Sequence, residues 1–374
     1  MRFCCFNPMP WPSLRHRPEE WPFPNVHFDA AEGHDCFRRY IDQLVFAEAC
    51  GFDWVGVGED HMTAYSLTPN PQLVLAAVGA RTSRVRLAIL GCPLPLLNPL
   101  RVAEECAMLD VMSGGRAVVG FIRGVPQNYR AYAVDPDESR ARFDEASALI
   151  VKAWTTRTPF SWQGRFYQYP VVSIWPTPLQ VPHPPLVYSA NSVTSAVLAA
   201  RQRVAIGSIH LYRRDALELV RAAFAAYRQE AAASGWQPAP DRFLVGLPTC
   251  IAENDQQAYD LLAPALDYHF GVLSGTYDAE KRRIARTKPG YGESPVEENP
   301  PTLRERLEHE MVLCGGPATV IKQLRALRES LGAGVVSMQF QVGNLADDAV
   351  RVGMRLFGDA VRTAFAAAGA PEPG

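Results

Sequence analysis

The chain has 374 residues, 48% of them hydrophobic, with a formal net charge of −2 and a pI near 6.5. This length and apolar content predict a large buried core, and the near-neutral charge argues against a nucleic-acid or polyanion partner. Eight scattered cysteines without a Cys-x-x-Cys spacing favour reduced thiols in a cytoplasm over a disulfide framework. The N-terminus has no apolar leader and no run approaches about 18 apolar residues, so we expect neither secretion nor a membrane span.

In the first half of the chain, short apolar runs alternate with stretches of helical periodicity. Asp35 is positioned to cap a helix that ends at Gly51. Asn70-Pro71 and Asn98-Pro99 each place a capping side chain directly before a proline, which is a favoured helix start. The predicted strands lie at 3–6, 54–57, 85–90 and 117–122, and a helix follows the last of them at 139–154.

The second half keeps the same alternation after one interruption. Residues 158–185 hold many of the prolines and aromatics, and we expect an ordered excursion that covers the side of the barrel. Further strands are predicted at 186–188, 204–209, 243–251 and 335–340, with helices at 192–200, 214–234, 319–331 and 346–367. Eight strands, each followed by a helix, predict an α/β fold of the (β/α)8 TIM-barrel type, formed by residues 1–374 as a single domain.

One segment is too long for an ordinary loop between a barrel strand and its helix. Residues 254–310 follow the seventh predicted strand; their first half has helical character, and we expect the polar residues 281–292 to be mobile. Loops at the carboxyl ends of barrel strands surround the active site. We therefore expect this insertion to act as a lid, the alternative being a solvated loop with no role.

Polar side chains follow several predicted strands, at the end of a barrel where ligands bind. They are Asp60 and His61 after the second strand, Arg123 after the fourth and His210 after the sixth. Ser192 and Ser195 open the helix after the fifth strand, where free N–H groups and hydroxyls favour an anion. Together with Arg123 they predict a phosphate site. The alternatives are an arginine paired with a structural carboxylate and a serine that only caps its helix.

Six stretches of the chain, taken together and in order, carry a family resemblance. They are GFDWVGVGEDH (51–61), NPLRVAEECAMLDVMSGGR (98–116), GFIRGVPQNYRAYAVDPDESRARF (120–143), the aromatic and proline-rich run ending at Pro185, SANSVTS (189–195) and CGGPATVIKQLRAL (314–327). Each stretch alone is a weak signal, but the set is specific. Over nearly its whole length the chain resembles the bacterial-luciferase-like family of flavin-dependent monooxygenases.

The resemblance implies an enzyme that binds reduced FMN at the carboxyl face of the barrel. In this family oxygen adds to the flavin, and the peroxyflavin hydroxylates an organic substrate or inserts oxygen in a Baeyer–Villiger manner. No second nucleotide site is visible in the sequence, so a separate flavin reductase would supply the reduced cofactor. The expected substrate is a largely apolar organic molecule, the expected assembly a homodimer paired through the first helices, and the expected location the cytoplasm.

The resemblance also assigns roles to individual residues. The expected cofactor-binding residues are Arg123, Leu90, Gly91, Ser189, Asn191, Ser192 and Ser195, of which Arg123, Ser192 and Ser195 would hold the flavin phosphate. Asp60 and His61 are the expected catalytic residues, and no metal site is expected. Luciferases carry Glu-His-His where this chain has Glu59-Asp60-His61, so a carboxylate replaces the first histidine, which argues against light emission.

Several alternatives remain open from the sequence. His61 could be a buried structural histidine, which would leave Asp60 as the catalytic group. The cofactor could be a deazaflavin whose acidic tail meets the basic residues 281–288, or the protein could bind flavin without turnover. Cys4 or Cys5 could be a reactive thiol, although a small buried apolar role is the one we favour.

The end of the third predicted strand carries a backbone prediction. Relatives of this kind have a non-proline cis peptide under the flavin ring, and counting back from Asn98-Pro99 puts that bond between Leu90 and Gly91. Glycine removes one Cβ and eases the crowding of a cis arrangement. The alternative is an ordinary trans strand end whose glycine only turns the chain.

Overall fold

Parallel strands form a closed barrel at the centre of the molecule, which a computed structural model describes for residues 1–189, 192–209, 213–287 and 300–366. The strands in these ranges are β1 (Arg2–Phe6), β2 (Trp54–Val57), β3 (Arg86–Pro93), β4 (Ala117–Ile122), β5 (Phe160–Gln163), β6 (Gln168–Val172), β7 (Leu186–Ser189), β8 (Ala205–Ser208), β9 (Phe243–Ile251), β10 (Leu313–Gly315) and β11 (Val335–Gln339). The barrel order is β9-β11-β1-β2-β3-β4-β7-β8, and β8 pairs back to β9. The predicted (β/α)8 TIM barrel is confirmed.

Helices surround the barrel and connect its strands. In the described ranges they are α1 (Ala30–Ala49), α2 (Pro71–Gly79), α3 (Pro99–Met112), α4 (Pro126–Ala131), α5 (Ser139–Thr155), α6 (Val193–Arg201), α7 (Ala216–Ala233), α8 (Asp255–Leu266), α9 (Gly275–Thr287), α10 (Leu303–Glu308), α11 (Pro317–Leu331), α12 (Asp347–Leu356) and α13 (Thr363–Ala366). The side chains of Asn70 and Asn98 cap α2 and α3 as predicted.

The predicted cap of α1 is wrong. The side chain of Asp29, not Asp35, accepts the N-terminal hydrogen bond, from the backbone N–H of Glu32. Asp35 lies inside the helix, because Ala30 and the residues after it are compatible with helix and extend α1 by more than a turn towards the N-terminus.

The excursion at 158–185 contains an antiparallel hairpin of β5 and β6 that the sequence analysis did not resolve. Its aromatic side chains Phe160, Trp162, Tyr167 and Tyr169 pack against the core, as expected for a segment that covers the barrel side. Trp175 departs from that expectation, with 88% of its surface exposed. Asp110 of α3 holds the end of the excursion by accepting hydrogen bonds from the backbone N–H groups of Leu179 and Gln180.

The insertion after β9 is helical in its described part. It comprises α8, a π-helical turn (Asp267–Leu273), α9 and α10, followed by the short strand β10, which pairs with β9 and was not predicted. The prediction of a helical first half is confirmed. Residues 281–287 continue α9, and 288–292 lie outside the described residues.

Ion pairs join α9 to two other parts of the chain. Arg17, in the loop before α1, pairs with Asp278 at 2.6 Å. Glu280 is 1% exposed and accepts from Arg130 of α4 at 3.0 Å and from Arg283 at 2.6 Å. These contacts bring α9 against α4, beside the carboxyl ends of the barrel strands.

The cysteines behave as buried apolar residues. All eight fall within the described ranges, and each is buried and unbonded to another cysteine. Burial raises the pKa of Cys4, inside the barrel, to about 12, which suits the structural role we favoured over a reactive thiol.

Within the ranges described above, no helix is both long and apolar enough to cross a bilayer.

Candidate functional site

A cavity of about 570 Å³ opens at the carboxyl ends of the barrel strands. This volume lies within the range of about 300–1,000 Å³ that is usual for small-molecule sites. Its floor is apolar and comes from barrel-interior residues, namely Phe6, Leu90, Val187 and Leu244. Charged and polar side chains line its mouth in two groups, one beside β4 and β7 and the other beside β2.

Cationic and hydroxyl groups gather beside β4 and β7. Arg123 follows β4, Arg140 lies in the first turn of α5, and Ser192 and Ser195 lie at the start of α6, all lining the cavity. Arg140 Nη2 donates to Ser195 Oγ at 2.7 Å, and Ser192 Oγ accepts from the Ser195 N–H at 3.3 Å. Burial lowers the pKa of Arg140, and the nearby charge of Arg123 lowers it further. Two like charges this close to a helix N-terminus favour a multiply charged anion.

Local structure explains how Arg123 is presented. The Tyr129 hydroxyl donates to the Arg123 carbonyl at 2.7 Å, which fixes the backbone after β4. Gly124 then adopts a φ of +101°, a conformation that glycine allows at low cost. The Arg123 side chain is exposed to the cavity mouth, whereas Ser195 is buried.

Of the other binding residues predicted beside β7, one lines the cavity and one lies outside the described residues. Ser189, the last residue of β7, lines the cavity. Asn191 lies outside the described residues, as does His210 after β8.

The predicted backbone feature at the end of β3 is present. The Leu90–Gly91 peptide bond is cis, which confirms that prediction, and both residues line the cavity. A Cβ on Gly91 would lie 2.6 Å from the carbonyl oxygen of Gly120 in β4. Only glycine therefore fits at this position without a shift of the neighbouring strand.

Acidic groups lie on the other side of the cavity, after β2. Asp60 lines the cavity and accepts a short hydrogen bond from the Tyr277 hydroxyl of α9. Burial raises the pKa of Asp60 from 3.8 to about 7, and the Tyr277 hydrogen bond opposes the shift. The Tyr277 ring also packs against Tyr65, with ring centroids 4.9 Å apart. The insertion therefore contributes directly to the wall that carries the acids.

His61, the second predicted catalytic residue, lies behind the cavity wall. Its Nε2 lies 2.9 Å from Glu59 Oε1, and its Nδ1 lies 3.1 Å from the Tyr132 hydroxyl. Glu59 lines the cavity, and burial raises the pKa of its carboxyl. The structure thus brings Asp60 and Glu59 to the cavity, with His61 in contact with Glu59.

Sequence reasoning missed three residues of this site. Arg140 had a usable signal, because a cation in the first turn of a helix opposes the helix dipole and suggests another purpose. Glu59 was quoted only as part of a motif. Tyr277 had no local signal, because its partner Asp60 lies 217 positions away in the sequence.

A sequence model described as luciferase-like monooxygenase matches residues 22–334 of the chain. An uncharacterized protein, y4wF, of Sinorhizobium fredii is 31% identical over 329 residues, which are 86% of this chain and 91% of that protein. The oxygenase component of a flavin-dependent trigonelline monooxygenase from Acinetobacter baylyi is 27% identical over 195 residues, 50% of this chain and 54% of that one.

Solved structures with the same fold include several oxidoreductases. The monooxygenase RslO1 from Streptomyces bottropensis is 25% identical with a TM-score of 0.79, over 98% of this chain and 100% of that chain. The oxygenating constituent of 3,6-diketocamphane monooxygenase from Pseudomonas putida, in complex with FMN, is 19% identical with a TM-score of 0.72, over 96% and 98%. An F420-dependent secondary alcohol dehydrogenase is 14% identical with a TM-score of 0.67, over 96% and 98%. At these lower identities the likeness concerns the fold.

Proposed function

Because the chain belongs to the luciferase-like monooxygenase family, we propose that it is the oxygenase component of a two-component system. It takes reduced FMN from a separate reductase and uses O2 to oxidise an organic, largely apolar substrate. The observation that carries this proposal is that Arg123, Arg140 and two serine hydroxyls line the mouth of an apolar-floored cavity together, with Arg140 hydrogen-bonded to Ser195.

The donor set beside β4 and β7 fits the phosphate of FMN. A phosphate dianion accepts several hydrogen bonds, and the two guanidinium groups, Ser192, Ser195 and the N-terminus of α6 offer them together. Ser189 and Asn191 belong to the proposed binding set as well. Neutralising two cations with one dianion would also relieve their mutual repulsion.

The apolar floor fits a flavin ring. Leu90 and Gly91 offer a backbone surface without a side chain on Gly91, next to Phe6 and Val187. Bound reduced flavin would supply the electrons that activate O2. The space between the floor and α9 would hold the substrate, and the apolar floor favours an apolar substrate over a charged one.

Asp60 is the proposed proton-handling residue at the cavity. A carboxyl with a pKa near 7 is present in both protonation states at neutral pH, which suits general acid–base work. Tyr277 holds this carboxyl from α9, so we propose that the insertion acts as a lid that excludes water and completes the acidic wall. His61 acts through Glu59.

The proposed assembly is a homodimer. Four large apolar side chains on α2 and α3 are exposed, Leu73 by 72%, Met108 by 51%, Val111 by 44% and Met112 by 62%. Large contiguous apolar patches mark contacts with other proteins, and the family resemblance implies pairing through the first helices of the barrel. Sedimentation velocity of the wild type and of Met112→Glu tests this, since a monomeric wild type would contradict it.

Anaerobic titration tests the cofactor assignment. Purified protein would be titrated with reduced FMN, oxidised FMN and the deazaflavin F420, with binding followed by flavin fluorescence or absorbance. We expect reduced FMN to bind more tightly than the other two. Binding of F420 alone, or of none of the three by folded protein, would overturn the proposal.

A deazaflavin-dependent oxidoreductase is the second candidate. Lys281 of α9 lines the cavity, and burial lowers the pKa of its ammonium group. A cation on this side could meet the acidic tail of a deazaflavin, whereas the compact FMN would not need it. The same titration distinguishes the two cofactors, and Lys281→Gln should weaken binding only of F420.

A further inference from the structure

We propose that Glu59, His61 and Tyr132 form a proton path between the cavity and solvent. This inference rests on the oxygenase function proposed above, and it assigns His61 a positioning and relay role instead of direct contact with a ligand. Neither Glu59 nor Tyr132 was among the expected site residues.

The three side chains form a continuous hydrogen-bonded chain. Glu59 Oε1 lies 2.9 Å from His61 Nε2, and His61 Nδ1 lies 3.1 Å from the Tyr132 hydroxyl. The rings of His61 and Tyr132 meet edge to face with centroids 4.7 Å apart, which fixes the imidazole orientation. Both ring nitrogens are therefore engaged, one towards the cavity and one away from it.

The exposure of the three residues changes in one direction. Glu59 and His61 are each 5% exposed, whereas Tyr132 is 44% exposed. Glu59 is among the residues that line the cavity, and Tyr132 follows α4 on the outer surface. The three hydrogen-bonded side chains thus run from the cavity lining to the protein surface.

The proposed reaction requires such a path. Monooxygenation converts substrate, O2 and FMNH2 to oxygenated substrate, water and FMN, and if the reduced flavin is bound as the anion FMNH−, one proton must enter the cavity per turnover. Tyr277 and Lys281 of α9 line one side of the cavity, and the proposed lid would limit access of bulk water during turnover. A histidine between two hydrogen-bonding groups is well suited to shuttle that proton.

In each transfer, the three side chains take up one proton from solvent and release one proton to the cavity. The Tyr132 hydroxyl gives its proton to His61 Nδ1 and regains one from solvent. The His61 Nε2–H then passes to Glu59 Oε1, and the Glu59 carboxyl releases a proton to the cavity. The starting tautomer returns when one water molecule takes the proton from Nδ1 and another delivers a proton to Nε2.

Other titratable groups face this chain and would contribute to any pH profile. Asp60 interacts electrostatically with both Glu59 and His61. Glu59 also interacts electrostatically with Glu105 of α3 and with Cys92 of β3. Variants of Glu59, His61 and Tyr132 must therefore be compared at several pH values.

Proton exchange in the ligand-free protein tests the path without any cofactor. The ring N–H of His61 would be observed by ¹⁵N-edited NMR and identified by its loss in His61→Gln. We expect exchange with water to slow roughly tenfold in Tyr132→Phe, which keeps the ring but removes the relay atom. Tyr259→Phe is the matched control, because Tyr259 lies in α8 and is absent from the cavity lining. Equal exchange rates in the wild type and Tyr132→Phe would overturn the path.

Flavin oxidation provides a second readout. Protein loaded with reduced FMN would be mixed with O2 in a stopped-flow instrument, in H2O and in D2O, across a range of pH. Glu59→Gln and Tyr132→Phe should each slow flavin oxidation about tenfold, with unchanged FMN affinity. Unchanged rates in both variants would reject the path. If FMN does not bind at all, the oxygenase proposal fails. The NMR exchange measurement still tests the proton path in that case, because it needs no cofactor.

Discussion

The two sides of the cavity are built in different ways. Beside β4 and β7, the groups are cations and hydroxyls, among them Arg123, which is exposed and whose backbone is held by the nearby Tyr129. Beside β2, the groups are buried acids and His61, and their partners come from distant parts of the sequence, as Tyr277 does for Asp60 and Tyr132 for His61. The first arrangement suits binding of an anion, and the second suits control of a proton. Within one cavity, binding of the cofactor and control of the proton are therefore expected on opposite sides.

The largest expected effect comes from removing the ionisable group of Asp60. Asp60→Asn should slow oxidation of bound reduced FMN by about 100-fold or more, since general acid–base groups contribute about 100- to 10,000-fold. FMN affinity should stay close to that of the wild type, because the phosphate is held on the other side. Stopped-flow oxidation and anaerobic titration measure the two quantities. A large loss of affinity would break the proposed separation.

The pKa of Asp60 also predicts a pH dependence of stability. The folded state holds this proton more tightly than the unfolded chain, because its pKa is about 7 in place of 3.8. The contribution is fully present below the ordinary pKa and is lost as pH rises to about 7, by at most about 4 kcal/mol. Urea unfolding of wild type and Asp60→Asn at several pH values measures it. Parallel stability curves for the two proteins would contradict the prediction.

Removal of Arg123 should affect binding and leave the chemistry intact. A charge-assisted hydrogen bond contributes about 1.5–3 kcal/mol, so Arg123→Ala should weaken reduced-FMN binding at least about tenfold. The oxidation rate at saturating FMN should change little. Arg140→Ala provides the parallel variant, and the double variant tests whether both cations serve one phosphate. Unchanged affinity in a fluorescence titration would reject the assignment of Arg123.

The smallest expected effect concerns the contact between the insertion and Asp60. Tyr277→Phe removes one hydrogen bond, worth about 1 kcal/mol, and so should slow flavin oxidation several-fold. Because that bond favours the ionised carboxylate, its loss should move the rate–pH profile to higher pH. A shift to lower pH, or none, would show that Tyr277 does not act on Asp60.

The sequence predicted the fold better than the site, for a physical reason. Helix starts at Asn70 and Asn98 and the apolar strands are local signals, and they gave the barrel correctly. Arg123 was found because its strand end is itself a local feature. Tyr277 and Tyr132 could not be found in this way, because each contacts a residue that is distant in the sequence, Asp60 and His61 respectively. Asp35 illustrates the opposite error, in which a plausible local cap lost to the longer helix from Asp29.

The ion pairs of α9 set a condition for engineering this scaffold. A chimera that exchanges the insertion with that of a relative would also need matching partners for Asp278 and Glu280, which here are Arg17 and Arg130. Without matching partners, a buried charge at position 280 would lose its ion pair, which is strongly destabilising. Recombination libraries should therefore take the loop before α1, helix α4 and the insertion from the same parent protein.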